Sequence, residues 1–376
     1  MSGVFFFEQA RALSRHGHKV GLIYSENVPA TSMFRPSSFF ELFKLRCFSD
    51  DGINTLRMKI CSPNLDTMRF QFWKQSIQIL FREYTARYGK PDIVHAQSVL
   101  WAGVAAQSIR HATGIPYAVT EHGSFIALDT IKPWKREMAS RAFRDANMVC
   151  AVSTDLAGQL ERRYGLRKVA VVANAVDTTF FRLPPKPRRT KPFRFLSIAR
   201  CVPIKNLTLL IEGFAMAFKG NNTVVLELCG DGEEKNALRR LARTTGIDRQ
   251  VVFRGHLSRD EVRDTMWRAN AYVVTSRYET FSIVLIEALA TGLPVISTRC
   301  GGPADIVTQD VVGELTAVNA PGELSLAMTR IFETETRHTT TKNALLRRKH
   351  IVDNFSETAF CDKITRCYKR TISSIE

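Results

Sequence analysis

A chain of 376 residues has room for two domains with buried cores, and its 45% hydrophobic and 24% charged residues exclude a disordered or fibrous protein. No apolar run is long enough to span a bilayer as a helix. The formal charge of +17 divides into +9 over residues 1–185 (24 basic, 15 acidic) and +8 over residues 186–376 (29 basic, 21 acidic), which argues against a basic nucleic-acid arm and fits an anionic surface or a phosphate-bearing substrate, and nearly as well a basic surface with no special partner.

The first element predicted is a helix over Phe5–His16, stopped by Gly17. The apolar stretch Phe5–Phe7 is too short for a secretory leader and Glu8 follows it, so a cytoplasmic location is expected. Short, continuously apolar strands are expected at Lys19–Tyr24, Asp92–His95, Tyr117–Thr120, Met148–Val152 and Val169–Val172, with helices over Phe70–Tyr88 and Val104–Ala112 between them. That alternation predicts a parallel sheet covered on both faces. Phe34–Phe48 interleaves Phe with Arg35, Lys44 and Arg46 and reads as packing against its own domain, with an interfacial helix or a flap as alternatives. A doubly wound domain normally has a strand before its first helix, and here none is visible. The expectation is a domain without that strand, or a reading frame that begins further upstream.

Leu183–Pro192 holds four prolines in ten residues and is the expected boundary, giving domains at 1–183 and 184–355 with a helix over about 356–376 packing back on the first. The alternation then restarts, with strands expected at Phe193–Ile198, Val224–Cys229, Val251–Arg254, Ala271–Thr275 and Pro294–Thr298. The eight cysteines show no paired metal-ligand spacing and are expected as reduced thiols.

The stretch with most to say about function is Thr275–Val307, in which Glu279 and Glu287 flank a Thr-Phe-Ser turn. Two acids so placed, one after a strand and one inside an apolar helix, suggest a polar ligand. Arg200 and Lys205 lie on the loop between the strand at Phe193 and the helix starting near Asn206, where free N–H groups and two cations would suit a diphosphate. From that segment alone, two solvated cations are the better reading. Gly230 in LCGDG and His256 in RGHL end the next two strands, as ligand approaches or as plain turns. His122, in TEHGS, and His95 stand at strand ends that could face a ligand crevice, although a lone histidine is more often structural. Asn174 is expected in a turn.

Together these segments resemble the family 4 retaining glycosyltransferases. ETFSIVLIE resembles that family's pair of acids separated by seven residues, EALATGLPVIST its helix and strand, and SIARCVPIKNLTLLIEGF its donor-phosphate segment. GVFFFEQARALSRHGHKVGLIY, PDIVHAQS, TEHGSF and VANAVDTTFF have counterparts in the first half. The resemblance implies the GT-B fold, two Rossmann-like doubly wound domains facing a cleft. It implies that Arg200 and Lys205 neutralise the diphosphate of a nucleotide-sugar and that Glu287 holds the ribose hydroxyls. Glu279 would contact the donor sugar near the reacting carbon, and the backbone of Phe281, Ser282 and Ile283 would meet phosphate or sugar. Gly230 and His256 would line the donor site, His122 would contact the sugar, and Gly3 would belong to a glycine loop. No metal or other cofactor is implied, because the cations stabilise the departing phosphate. That cation pair also distinguishes the two acids from a hydrolase pair. The expected partners are a nucleotide-sugar, a glycan or lipid-linked glycan acceptor and an anionic membrane surface, with no nucleic acid. The alternative is a non-catalytic or truncated relative that binds nucleotide or glycan, or scaffolds a partner.

Overall fold

The computed structural model describes residues 4–28, 42–62, 65–186, 191–337 and 341–373. The chain forms two compact units. The first comprises Met1–Val152, Ala157–Val172 and Cys361–Glu376, and the second comprises Ser153–Leu156 and Ala173–Phe360. Gly3 lies outside the described residues.

The first unit begins with α1 (Val4–Arg15), which buries Gln9, Ala10, Ala12 and Leu13 on one helical face. It is followed by β1 (Gly21–Val28), β2 (Leu45–Asp50), β3 (Ile53–Cys61) and α2 (Asp66–Tyr88). Next come β4 (Val94–Gln97), α3 (Val104–Thr113), β5 (Tyr117–Glu121), α4 (Ser124–Ala127), α5 (Pro133–Asp145), β6 (Met148–Ala151), α6 (Thr154–Tyr164) and β7 (Ala170–Val171). The strands fall into two sheets, β1-β3-β2 and β4-β5-β6-β7. The second of these sheets is parallel throughout. The first is mixed: β1 runs parallel to β3, while β2 and β3 form an antiparallel hairpin. This corrects the expectation of a wholly parallel sheet; of the stretch Phe34–Phe48, residues 34–41 lie outside the described residues and Leu45–Phe48 belong to β2, paired within their own unit. Asp51 and Gly52 at the hairpin turn both have positive φ, 47° and 75°, the geometry whose twist matches paired strands. Arg11 and Arg15 pair with Asp51, and Arg11 also with Asp50, tying α1 to that turn. Leu56, Met58 and Ile60 of β3 pack on Ile77, Leu80 and Phe81 of α2 and on Ala105 and Ile109 of α3.

The second unit alternates β8 (Phe193–Ile198), α7 (Leu207–Phe218), β9 (Val224–Cys229), α8 (Lys235–Thr244), β10 (Val251–Arg254), α9 (Arg259–Arg268), β11 (Ala271–Val274), α10 (Ile283–Ala290), β12 (Val295–Thr298), α11 (Pro303–Ile306) and β13 (Gly313–Thr316). Helices α12 (Pro321–Arg337), α13 (Thr341–Phe355) and α14 (Glu357–Ser373) follow. The sheet is parallel with order β10-β9-β8-β11-β12-β13. Numbered within the unit that order is 3-2-1-4-5-6, the doubly wound arrangement with a switch point between its first and fourth strands. Phe193, Phe195, Leu226 and Val273 carry the sheet side of a core closed by Leu210 and Phe214 of α7 and by Leu324 and Met328 of α12. The proline-rich segment after Leu183 lies inside this unit. The chain just before it is anchored here: Arg348 donates to the carbonyls of Thr178, Phe181 and Ala290. Among the described residues no helix is long and apolar enough to cross a membrane.

Candidate active site

In parallel α/β sheets ligands bind beyond the carboxyl ends of the strands at the switch point. Here that point lies between β8 and β11, which pair over only two positions, Ala271↔Phe195 and Tyr272↔Leu196. Beyond the ladder the Tyr272 hydroxyl donates to Ile198 O and accepts from Ile198 N–H, at 3.1 and 3.2 Å. Burial, then the carboxylates of Glu287 and Glu279, push the Tyr272 phenol far above its ordinary range.

After β8 the chain runs through Arg200 into a single 3-10 turn, Pro203–Lys205. Asn206, in the left-handed region at φ 49°, then redirects it into α7. This loop is stitched to the one after β11: Arg277 N–H donates to Ile204 O at 2.8 Å, and the Thr275 hydroxyl donates to Lys205 O at 3.2 Å. Lys205 Nζ and Glu279 Oε1 lie 2.5 Å apart, and Ser276 Oγ donates to the same carboxylate oxygen at 2.7 Å. The side chains of Lys205 and Glu279 are 23% and 16% exposed, enough burial for their contact to outweigh ordinary surface screening. Arg200 is exposed and makes no side-chain hydrogen bond or ion pair among the described residues.

The loop from Ser276 to Ser282 is fixed by a second one, Cys300–Gly302. Glu279 N–H donates to Cys300 O and Gly302 N–H donates back to Glu279 O, at 2.8 and 2.9 Å. A Cβ on Gly302 would lie 2.3 Å from Thr280 O, so only glycine permits this approach. Phe281 is buried against Phe355, which leaves its backbone as the part able to face a ligand. Ser282 sits in the left-handed region at φ 88°, and no side chain caps the helix it starts. The N–H groups of Ile283 and Val284 therefore have no partner within the helix, whereas Leu285 N–H donates to Ser282 O at 3.2 Å. Glu287, part-exposed, lies one turn further along α10.

Gly230 and His256 end β9 and β10 at the same edge of the sheet. Gly230 has φ 134°, and a Cβ there would lie 1.9 Å from Ala199 O. Its freedom is thus consumed by the backbone of the Arg200 loop rather than left open for a ligand. His256 is exposed.

In the first unit His122 follows β5. Its Nε2 is 2.8 Å from Gln97 Oε1, and the rings of Phe5 and Phe6 lie 5.3 and 5.0 Å from its own. Burial, with a smaller contribution from His95, lowers its pKa to about 3. A neutral imidazole can hydrogen-bond a hydroxyl but is a poor proton donor near neutrality. His95 is spoken for at both nitrogens, Nδ1 by Tyr368 OH at 2.6 Å and Nε2 by Thr120 Oγ1 at 2.7 Å, so it is structural.

Sequence reading missed Glu121, Ser276 and Gly302. Glu121 is fully buried, and its carboxylate accepts from the N–H groups of Val99, His122 and Gly123 at 2.8, 2.9 and 2.7 Å. It therefore sets the backbone that carries His122. Burial raises its pKa, and these hydrogen bonds oppose the rise. An acid that completes an apolar strand was the available signal. For Gly302 the signal was the pair Gly301-Gly302, separated by two residues from the end of a buried strand.

Two family models match consecutive parts of the chain: Glycosyltransferase Family 4 over residues 2–180 and Glycosyl transferases group 1 over residues 181–347. Among curated relatives, the glycogen synthase of Mycobacterium tuberculosis is 24% identical over 259 residues, covering 66% of this chain and 62% of that one. The lipopolysaccharide 1,6-galactosyltransferase of Escherichia coli is 29% identical over 241 residues, covering 63% of each. The chain thus spans less than two thirds of the length of these relatives. Among solved structures, the sucrose-phosphate synthase of Thermosynechococcus elongatus superposes with a TM-score of 0.77 at 18% identity, covering 99% of this chain and 93% of that one. HepE of Anabaena, in complex with UDP-glucose, does so with a TM-score of 0.65 at 18% identity, covering 94% and 99%. The chain belongs to the family 4 glycosyltransferases and has the GT-B fold of two Rossmann-like domains.

Proposed function

We propose that this chain is a retaining, metal-independent glycosyltransferase that moves a sugar from a nucleotide-sugar onto a growing glycan. The observation that carries the reading is the contact of Lys205 with Glu279 at the switch point, beside exposed Arg200 and the uncapped start of α10. Charge builds on the departing phosphate as the glycosidic bond of the donor breaks, and preorganised cations and N–H groups stabilise it there without a metal. Lys205 and Arg200 take the diphosphate, and Glu279 holds Lys205 in place while it contacts the donor sugar. Glu287 takes the ribose hydroxyls, and the backbone of Phe281, Ser282 and Ile283 meets phosphate or sugar. His122 hydrogen-bonds a sugar hydroxyl in its neutral form. Gly230 shapes the Arg200 loop, and His256 lies at its border.

The acceptor class is a cell-surface polysaccharide on a lipid-phosphate carrier, reached from the cytoplasmic face of a membrane. The net charge of +17 and the match to a lipopolysaccharide galactosyltransferase support this choice. The test is release of nucleoside diphosphate from a panel of nucleotide-sugars by the wild type and by Glu279→Ala. At least 100-fold slower release by the variant is expected, a loss of about 2.7 kcal/mol of transition-state stabilisation. Equal rates in the two proteins would remove Glu279 from the chemistry. No release with any donor would favour a binding or scaffolding protein.

A further inference from the structure

In the first unit, helix α2 buries one face and leaves large apolar side chains in the open on the other. Phe70, Ile77, Leu80 and Phe81 are buried. On the far side Leu65, Met68, Phe72 and Ile79 are 65, 43, 41 and 42% exposed. Spacings of three, four and seven residues keep them in one stripe, which runs roughly 16 Å from Met68 to Ile79. Exposed apolar side chains are ordinary when scattered singly, but a row along one helix face marks a docking surface.

The charge around the stripe selects its partner. By helical spacing Arg69 and Arg82 flank it on either side, and exposed Arg82 has no acidic partner among the described residues. The acids nearby are already matched. Asp66, in the first turn of α2, takes both Lys132 and Lys135, at 3.0 and 3.3 Å, and Glu83 takes Arg87 at 3.1 Å. The two lysines bring the start of α5 beside the first turn of α2, and there Lys135 lies over the ring of part-exposed Trp134 at 5.3 Å. Apolar side chains in a row, surplus cations at their flanks and an indole with a lysine at one end suit a helix lying in a bilayer interface. The apolar groups enter the acyl boundary and the cations meet lipid phosphates. A second copy of the chain suits this face poorly, because pairing two such faces would set like charges against each other.

We propose that this face of α2, with Lys132, Trp134 and Lys135 at its first turn, docks the chain on the surface of an anionic lipid bilayer. The docking rests on the proposed lipid-linked acceptor, which a chain held on the bilayer meets at the bilayer's own surface. The segment that carries His122 out of β5 runs on through α4 to Lys132 and Trp134, so the proposed sugar contact and the docking face share one stretch of chain.

The experiment is co-sedimentation of the full-length protein with vesicles of phosphatidylcholine alone and of phosphatidylcholine mixed with phosphatidylglycerol. The wild type should sediment with the anionic vesicles, weakly with the neutral ones, and less as salt is raised. Met68→Ser/Phe72→Ser/Ile79→Ser changes no charge, yet it should partition at least about 10-fold less while keeping the wild-type Tm, since the three side chains are exposed. Arg240→Gln/Arg243→Gln/Arg249→Gln, at exposed positions in and just beyond α8, removes three charges elsewhere and should keep most of the binding. The idea is overturned if the wild type ignores anionic vesicles, if the stripe variant binds as wild type does, or if the two triple variants lose binding equally. It is overturned too if the stripe variant instead splits a dimer of the wild type. Vesicle binding needs no donor, so a protein that releases nucleoside diphosphate but ignores vesicles sinks the docking alone, and one that binds vesicles without turning over any donor sinks the proposed reaction alone.

Discussion

At the scale of single residues, Ser282 and Gly230 show what the site asks of the backbone. Ser282 occupies the left-handed region at φ 88°, where a small polar side chain is tolerated and a β-branched one is not. Ser282→Val should cost about 2 kcal/mol or more in a denaturant titration, whereas Ser282→Gly should fall within about 1 kcal/mol of wild type, because relief of strain and added freedom of the unfolded chain oppose each other. Gly230→Ala should be at least as damaging as Ser282→Val, since its Cβ would overlap Ala199 O. A Ser282→Val protein as stable as wild type would mean that α10 does not begin in this geometry. Lys205 makes a different point. Its partner Glu279 lies 74 positions away in sequence, so their contact follows from the fold and could not be read from either segment alone.

At the scale of elements, legibility followed burial. Phe193–Ile198 and Val224–Cys229 were readable to the residue because inner parallel strands, covered on both faces, are largely apolar; Val251–Arg254, at the sheet edge, was readable from its Val-Val-Phe run although Val252 and Arg254 are exposed. Strand β13 was not, because Gly313-Glu-Leu-Thr has no apolar run; its glycine is there to let Val295 O approach, 2.0 Å from where a Cβ would stand. The hairpin β2–β3 carried a turn signal in Asp51-Gly52, flanked by alternating apolar residues, that the Phe-rich composition just before it masks. The loops after β8 and β11 were legible as a motif because Glu279, Glu287, Arg200 and Lys205 are the residue types that the proposed chemistry needs. What organises them was hidden: Ser276 on the Glu279 carboxylate, and Gly302 pressed against Thr280 and Phe281. In the first unit Glu121 was hidden for the same reason, since a buried acid reveals its role only through the three N–H groups that it gathers.

At the scale of the whole molecule, two buried histidines set an acid limit. Burial lowers His95 to about 4 and, as the larger cause, His122 to about 3, against about 6.5 in an unfolded chain. Below pH 6.5 the unfolded state therefore binds more protons than the native state, and stability falls as pH drops from about 6.5 towards 4, by about 1.4 kcal/mol per pH unit for each histidine once its unfolded form is fully charged. Glu121, raised by burial, acts in the opposite sense, losing stability as pH rises above the ordinary carboxylate range, so the informative comparison is between proteins that both keep it. The Tm of His95→Gln should fall less steeply between pH 6.5 and 4.5 than that of wild type; parallel curves would show that His95 is not held neutral. The molecule's charge of +17 and its cations at the switch point fit the proposal that the carboxyl edge of the second sheet binds the diphosphate of a nucleotide-sugar. Thermal shift with a panel of nucleotide-sugars, run on wild type, Arg200→Ala and Lys205→Ala, tests it most directly, because a ligand that binds the native state raises Tm. At least one nucleotide-sugar should raise the wild-type Tm, and both variants should lose most of that rise. A panel that leaves the wild-type Tm unmoved, or a shift that survives in both variants, would contradict it.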